Sequence, residues 1–179
     1  MNKTEALQYL DSQQDFLFHT SDSIWDNPET DYHEEKSSAI LKNALTEAGF
    51  TVQSGLAGIP TAFSGSYGSG KPVIGFLGEF DALSGLSQEA GITEKKPIAE
   101  GGNGHGCGHN LLGTGSLAAA IAVKKYLEDS GKPGTVIFFG CPAEEGGSGK
   151  AFMAKAGVFD GVDIALSWHP NNLNSVWSF

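Results

Sequence analysis

Three short runs of nearly unbroken apolar residues dominate the second half of this chain: VIGFL at Val73 to Leu77, TVIFF at Thr135 to Phe139 and VDIAL at Val162 to Leu166. A strand with one face in water alternates apolar and polar residues, whereas a run apolar throughout marks a strand covered on both faces. An apolar helical stretch from Leu111 to Leu127, closed by Ser130-Gly131, separates the first two runs. A shorter one from Lys150 to Ala156 separates the last two. Strands alternating with helices predict an α/β domain built on a mainly parallel sheet flanked by helices.

The first seventy residues read differently. Lys3 to Phe18 carries an apolar stripe at helical spacing, and Tyr32 to Ala48 carries a stronger one, with Gly49 placed to end it. From Phe50 to Tyr67, apolar and polar residues alternate between glycines, as expected of short antiparallel strands. Ser87 to Gly104 is a long polar, glycine-rich loop, and loops of that length inside a domain are usually functional. A chain of 179 residues suits one domain, burying roughly 70% of its unfolded surface without staples. Its formal net charge of −10 argues against nucleic acid or an anionic membrane as partner. The opening residues MNKTEALQYLDSQQDF carry no apolar leader core, and two cysteines suit a reducing compartment, so the cytoplasm is expected.

The chemistry-bearing residues collect where the buried runs end. VIGFL leads into Glu79-Phe80-Asp81, TVIFF into Glu144-Glu145, and VDIAL into His169. The sequence HGCGHN, His105 to Asn110, precedes the Leu111 helix and concentrates two of five histidines and one of two cysteines. In open α/β sheets the ligand crevice lies beyond the carboxyl ends of the strands. Asp81, Cys107, His109, Glu144, Glu145 and His169 are therefore predicted at one edge. Taken singly, each has a bland reading: a lone Cys-x-His pair, a solvated Glu-Glu, a loop histidine. Imidazole, thiolate and carboxylate converging from four segments form a metal site instead. A thiolate favours zinc, and the carboxylates leave room for manganese or cobalt. Cys141 reads as a small core residue, and His19 and His33 as surface.

Two phosphate-loop patterns fail on inspection. GSYGSGK, Gly65 to Lys71, is followed by proline and a strand rather than by a hydroxyl and a helix, and GGSGK at Gly146 to Lys150 has Glu144 where the first glycine belongs. A cysteine nucleophile paired with a histidine two residues away is poor geometry as well.

With these residues in hand, the chain resembles the dinuclear-metal amidohydrolases that include carboxypeptidase G, aminoacylase and the indoleacetyl-amino-acid hydrolases, and among them the aminobenzoyl-glutamate hydrolase branch. WDNPETDYHEEKSSAILKNALTEAGF, AGIPTAFSGSYGSGKPVIGFLGEFDAL, GHGCGHN, PAEEGGSGK and LSWHP carry the resemblance, in the family's order. It implies a three-layer metallopeptidase catalytic domain holding one or two divalent ions and cleaving a small-molecule amide. It also implies roles: Cys107, His109, Glu145 and His169 as metal ligands, Glu144 as general base, and Asp81 as a catalytic residue, in the place of the aspartate that orients the histidine of the family's His-x-Asp.

Two departures accompany the resemblance. The family's His-x-Asp is here Glu79-Phe80-Asp81, and Asn110 stands where many relatives have aspartate. Relatives are also longer, so residues 1–179 are expected to be the N-terminal part of a catalytic domain, truncated before a lid or dimerisation domain and the returning C-terminal part. A second chain completing the site, or a non-catalytic metal-binding or partner-binding fragment associating through an unfinished sheet edge, are the corresponding expectations.

Overall fold

A computed structural model describes residues 1–173 and 175–176 of the chain. Asn2 opens the first helix with a reciprocal capping box, its side chain accepting from Glu5 N while the Glu5 carboxylate accepts from Asn2 N. The single helix expected over Lys3 to Phe18 is instead two, α1 (Lys3–Ser12) and α2 (Gln14–Trp25), broken at Gln13. α1 buries no residue, whereas α2 turns Thr20, Ser21 and Ile24 inward. Helix α3 (Glu35–Glu47) starts three residues later than the periodicity suggests, since Asp31 and Tyr32 adopt left-handed backbone conformations. Its free N–H groups at Lys36 and Ser37 donate to the Glu29 carboxylate at 3.1 and 2.9 Å, so the cap comes from the preceding turn.

Strands β1 (Thr51–Ser54) and β2 (Phe63–Ser69) form the expected antiparallel pair. β3 (Val73–Glu79), β4 (Gly134–Cys141) and β5 (Ile164–Leu166) coincide with the three apolar runs. The sheet order is β1-β2-β4-β3-β5. β4 runs antiparallel to β2 but parallel to β3, and β3 is parallel to β5. The fold is therefore α/β on a mixed five-stranded sheet, with the parallel part where helices connect the strands. Helix α4 (His109–Ser130) crosses between β3 and β4, and α5 (Glu144–Gly147) and α6 (Gly149–Lys155) follow β4.

Side-chain alternation on β4 builds a core on each face. Val136 and Phe138 pack with Leu41, Leu45, Leu117 and Ile121 from α3 and α4, while Phe139 and Cys141 pack with Met153 of α6 on the other side. Cys141 is fully buried, as its sequence context predicted, and burial pushes its thiol up to about 12. His19 and His33 are exposed, also as predicted. β5 differs from expectation: it is a strand, but Ile164 and Leu166 are 46% and 45% exposed, because it pairs with β3 alone at the edge of the sheet. No helix among the described residues is long and apolar enough to cross a membrane.

Candidate metal centre

Because β3 and β4 are parallel and Glu79 registers opposite Cys141, the two strands end side by side. Asp81 and Glu144 therefore leave the sheet at the same edge, and β5, on the far side of β3, delivers His169 there. At the turn after β3, Phe80 points into the core against Phe63, with ring centroids 5.8 Å apart. Glu79 and Asp81, one residue to either side, both reach His109. Gly113 lets α4 lie close over this turn, since a Cβ there would sit 2.7 Å from the Glu79 carbonyl oxygen. Its first turn thereby carries His109 onto the strand ends. The loop HGCGHN was expected to end before the helix, but His109 is the first residue of α4, which fixes its side chain on a rigid element.

His109 is the centre of the cluster and is wholly buried. Its Nδ1 lies 3.0 Å from Asp81 Oδ1. A carboxylate can only accept, so Nδ1 donates and Nε2 carries the lone pair in the neutral ring. The other Asp81 oxygen accepts from Glu145 N at 3.0 Å, tying the β3 and β4 loops together through one buried carboxylate. Among the described residues His109 Nε2 has no aligned hydrogen-bond partner, although Glu79 Oε2 and Glu145 Oε1 stand 3.1 and 3.8 Å away. Burial pulls the His109 pKa down. The hydrogen bond to Asp81 and the charges of Asp81, Glu79 and Glu145 more than offset that, leaving the ring more basic than usual.

Cys107 and His169 face each other beside His109, with Sγ and Nε2 3.2 Å apart. Ligand atoms of Cys107, His109 and His169 lie within 4.8 Å of one another, as do those of Glu79, His109 and Glu144. The Cys107 thiol is pushed up to about 12 by burial and by the carboxylates of Glu145, Glu144 and Glu79. A cluster of four carboxylates (Glu79, Asp81, Glu144 and Glu145), a thiol and two imidazoles, with an unpaired buried nitrogen among them, is what a divalent cation would neutralise. The residues fit such an ion. All six residues selected from the sequence meet here.

The sequence pattern assigns no role to Glu79 or His105. Glu79 is buried, paired with Lys150 through one oxygen and beside His109 through the other. Its spacing of two from Asp81 is the signal that both side chains leave the turn on the same side. His105 is buried against Trp25, and its Nε2 lies 3.1 Å from the Ile24 carbonyl oxygen, away from the cluster. Burial lowers its pKa. Asn110 likewise turns to α2, donating to Ser21 Oγ.

Residues 75–177 match peptidase family M20/M25/M40. The chain is 61% identical over 150 residues to one of the subunits of the p-aminobenzoyl-glutamate hydrolase of Escherichia coli, an alignment covering 84% of this chain and 31% of that protein. It superposes on a solved protein of methicillin-resistant Staphylococcus aureus, described there by inference as an aminohydrolase, with a TM-score of 0.76 at 25% identity, over 94% of this chain and 42% of that one. A dinuclear metal-binding M20 peptidase from Bacillus subtilis superposes with a TM-score of 0.75 at 21% identity, over 90% and 44%. The chain thus spans about a third of the length of the Escherichia coli relative.

Proposed function

The chain belongs to peptidase family M20/M25/M40, and from that premise we propose that it forms the metal-binding part of a hydrolase cleaving amide bonds in N-acyl amino acids or aminobenzoyl-glutamate-type substrates. The observation that carries the reading is His109: buried, oriented by Asp81, and presenting an unpaired Nε2 to a thiol, a second imidazole and carboxylates. Cys107, His109, Glu145 and His169 would hold the ion, zinc first given the thiolate, with manganese or cobalt as alternatives. Glu79 and Glu144 stand within reach of the same histidine, which leaves room for a second ion. A bound divalent cation supplies Lewis acidity, acidifying water and polarising a carbonyl.

The protein's own groups do the rest. Glu144, exposed at the start of α5, takes a proton from the attacking water and returns it to the departing amine nitrogen, so one carboxylate acts first as base and then as acid. Asp81 keeps the His109 proton on Nδ1. Glu79, held by Lys150, adds negative charge beside His109. The Escherichia coli relative is one component of a hydrolase built from subunits, which supports a second chain in the working enzyme, and a cytoplasmic setting suits an unprotected thiol ligand.

The test is Glu144→Gln in the complete enzyme, assayed with p-aminobenzoyl-glutamate. Turnover is expected to fall by about 10²–10⁴-fold while the ion held by Cys107, His109, Glu145 and His169 is retained, at one equivalent or more by elemental analysis. Retained turnover would remove Glu144 from the mechanism.

A further inference from the structure

The segment between α2 and α3 touches both loops that carry the cluster. Glu29 O accepts from Ala82 N at 2.8 Å, immediately after Asp81. Glu34 lies under the other loop with its side chain wholly buried. One of its oxygens accepts from Ala143 N at 2.9 Å and from Tyr32 N at 3.0 Å, and the other accepts from the Thr61 hydroxyl at 3.1 Å. Among the described residues its partners are therefore two backbone N–H groups and a hydroxyl, with no cation among them. From the far end, the Tyr32 hydroxyl donates to Gly147 O, the last residue of α5.

Both backbone groups that Glu34 holds belong to residues in the left-handed region, Tyr32 at φ 67° and Ala143 at φ 53°. Such a conformation costs a non-glycine residue energy and persists only where its surroundings over-determine it. Ala143 directly precedes Glu144 and Glu145, so its dihedral angles decide where both carboxylates point. Burying Glu34 disfavours its charged form and raises its pKa. An apolar side chain would fill the space at lower cost, yet it would leave the Ala143 N–H without a partner.

We propose that Glu34 is a positioning residue for the metal centre: by holding the left-handed turn at Ala143, with Tyr32 bracing Gly147, it aims Glu144 and Glu145 at His109. The inference rests on the metal reading given above. Glu34 touches neither an ion nor a substrate, and it acts only through the turn. Gln suits the same place, because its carbonyl can accept from Ala143 and Tyr32 while its amide donates to the Thr61 hydroxyl, which is free to accept.

The test uses Co²⁺ as probe on the purified protein, read by visible absorption, with Cys107→Ser identifying the thiolate-to-cobalt band. Glu34→Ala is expected to alter the ligand-field bands and weaken Co²⁺ binding by about 10-fold or more, within the range for residues that support ligands. Glu34→Gln is expected to restore both. Tyr32→Phe, which removes only the Gly147 contact, should shift the bands in the same direction, and it decides the matter if Glu34→Ala does not fold by circular dichroism. Amide hydrogen exchange at Glu145 in the metal-free protein gives a second reading. That N–H bonds to Asp81 and not to Glu34, so it should exchange at least about tenfold faster in Glu34→Ala, with Val136 in β4 unchanged. A folded Glu34→Ala protein with wild-type bands and affinity overturns the inference, and so does a Gln variant as impaired as the Ala one. Absence of any Cys107-dependent band in the wild type overturns the metal reading instead, and unchanged Glu145 exchange in Glu34→Ala would then overturn the positioning role on its own.

Discussion

Asp81→Asn isolates the step on which the metal centre depends, the tautomer of His109. The Asp81 carboxylate is 1% exposed and accepts from two donors, His109 Nδ1 and Glu145 N, each at 3.0 Å. Asparagine keeps the shape but has one acceptor and one donor. If its oxygen stays with Glu145 N, its NH₂ faces His109 Nδ1, which must then accept. The ring proton moves to Nε2, and the lone pair that a metal requires is gone. If the amide turns over, His109 keeps its tautomer, but the Glu145 N–H faces another donor and is left unsatisfied, at about 1–3 kcal/mol. Both outcomes weaken the site. Loss of a carboxylate supporting a histidine ligand typically lowers metal affinity by about 10–100-fold, which at about 1.4 kcal/mol per decade is about 1.4–2.8 kcal/mol. Metal-free stability should fall by about 1–3 kcal/mol. Asp81→Ala, which strands both donors, should lose about twice that. Zn²⁺ affinity measured by competition with a chromophoric chelator, beside urea denaturation of the metal-free protein, separates binding from folding. Wild-type Zn²⁺ affinity in a folded Asp81→Asn protein would refute the tautomer argument and with it the use of His109 Nε2 as a ligand.

Two further perturbations test the scaffold. Gly140→Ala would put a Cβ 2.2 Å from the fully buried Phe63 ring, so overpacking should cost about 1–3 kcal/mol in chemical denaturation, and a variant within experimental error of wild type would contradict the packing at the β2–β4 junction. His105 contributes to acid sensitivity. Burial lowers its folded-state pKa below the ordinary 6.5, so the unfolded chain binds more protons in that interval. Its contribution is therefore complete above pH 6.5 and is lost as pH falls through the folded value. His105→Gln, which can still donate to the Ile24 carbonyl, should flatten the fall of thermal midpoint below pH 6.5, and an unchanged slope would assign that fall to other groups.

The sequence alone carried a great deal of this architecture, because the strongest signals are local. An unbroken apolar run has few alternatives to a covered strand, and VIGFL and TVIFF became β3 and β4. Alternation between glycines gave the β1–β2 pair, and the Leu111 stripe with Gly131 behind it became α4 with a left-handed cap. Placing acids and histidines after successive strands was enough to bring Asp81, Cys107, His109, Glu144, Glu145 and His169 to one edge, since a parallel sheet with crossover helices puts strand ends together. Residue type and order determine such features.

Orientation belonged to the tertiary structure. Composition of the run at Val162 to Leu166 could not show that β5 has a single neighbour and lies exposed, because burial depends on what packs there and not on the strand itself. Periodicity could not mark the break at Gln13, nor that His109 begins a helix rather than ends a loop. The partners of Asp81 and Glu34 were equally hidden: each carboxylate accepts from groups far along the chain, Asp81 from His109 and Glu145, Glu34 from Thr61 and Ala143. Sequence spacing thus determined which chemical groups arrive at the edge, whereas long-range hydrogen bonds accepted by buried carboxylates decided which nitrogen His109 presents and where the glutamates point.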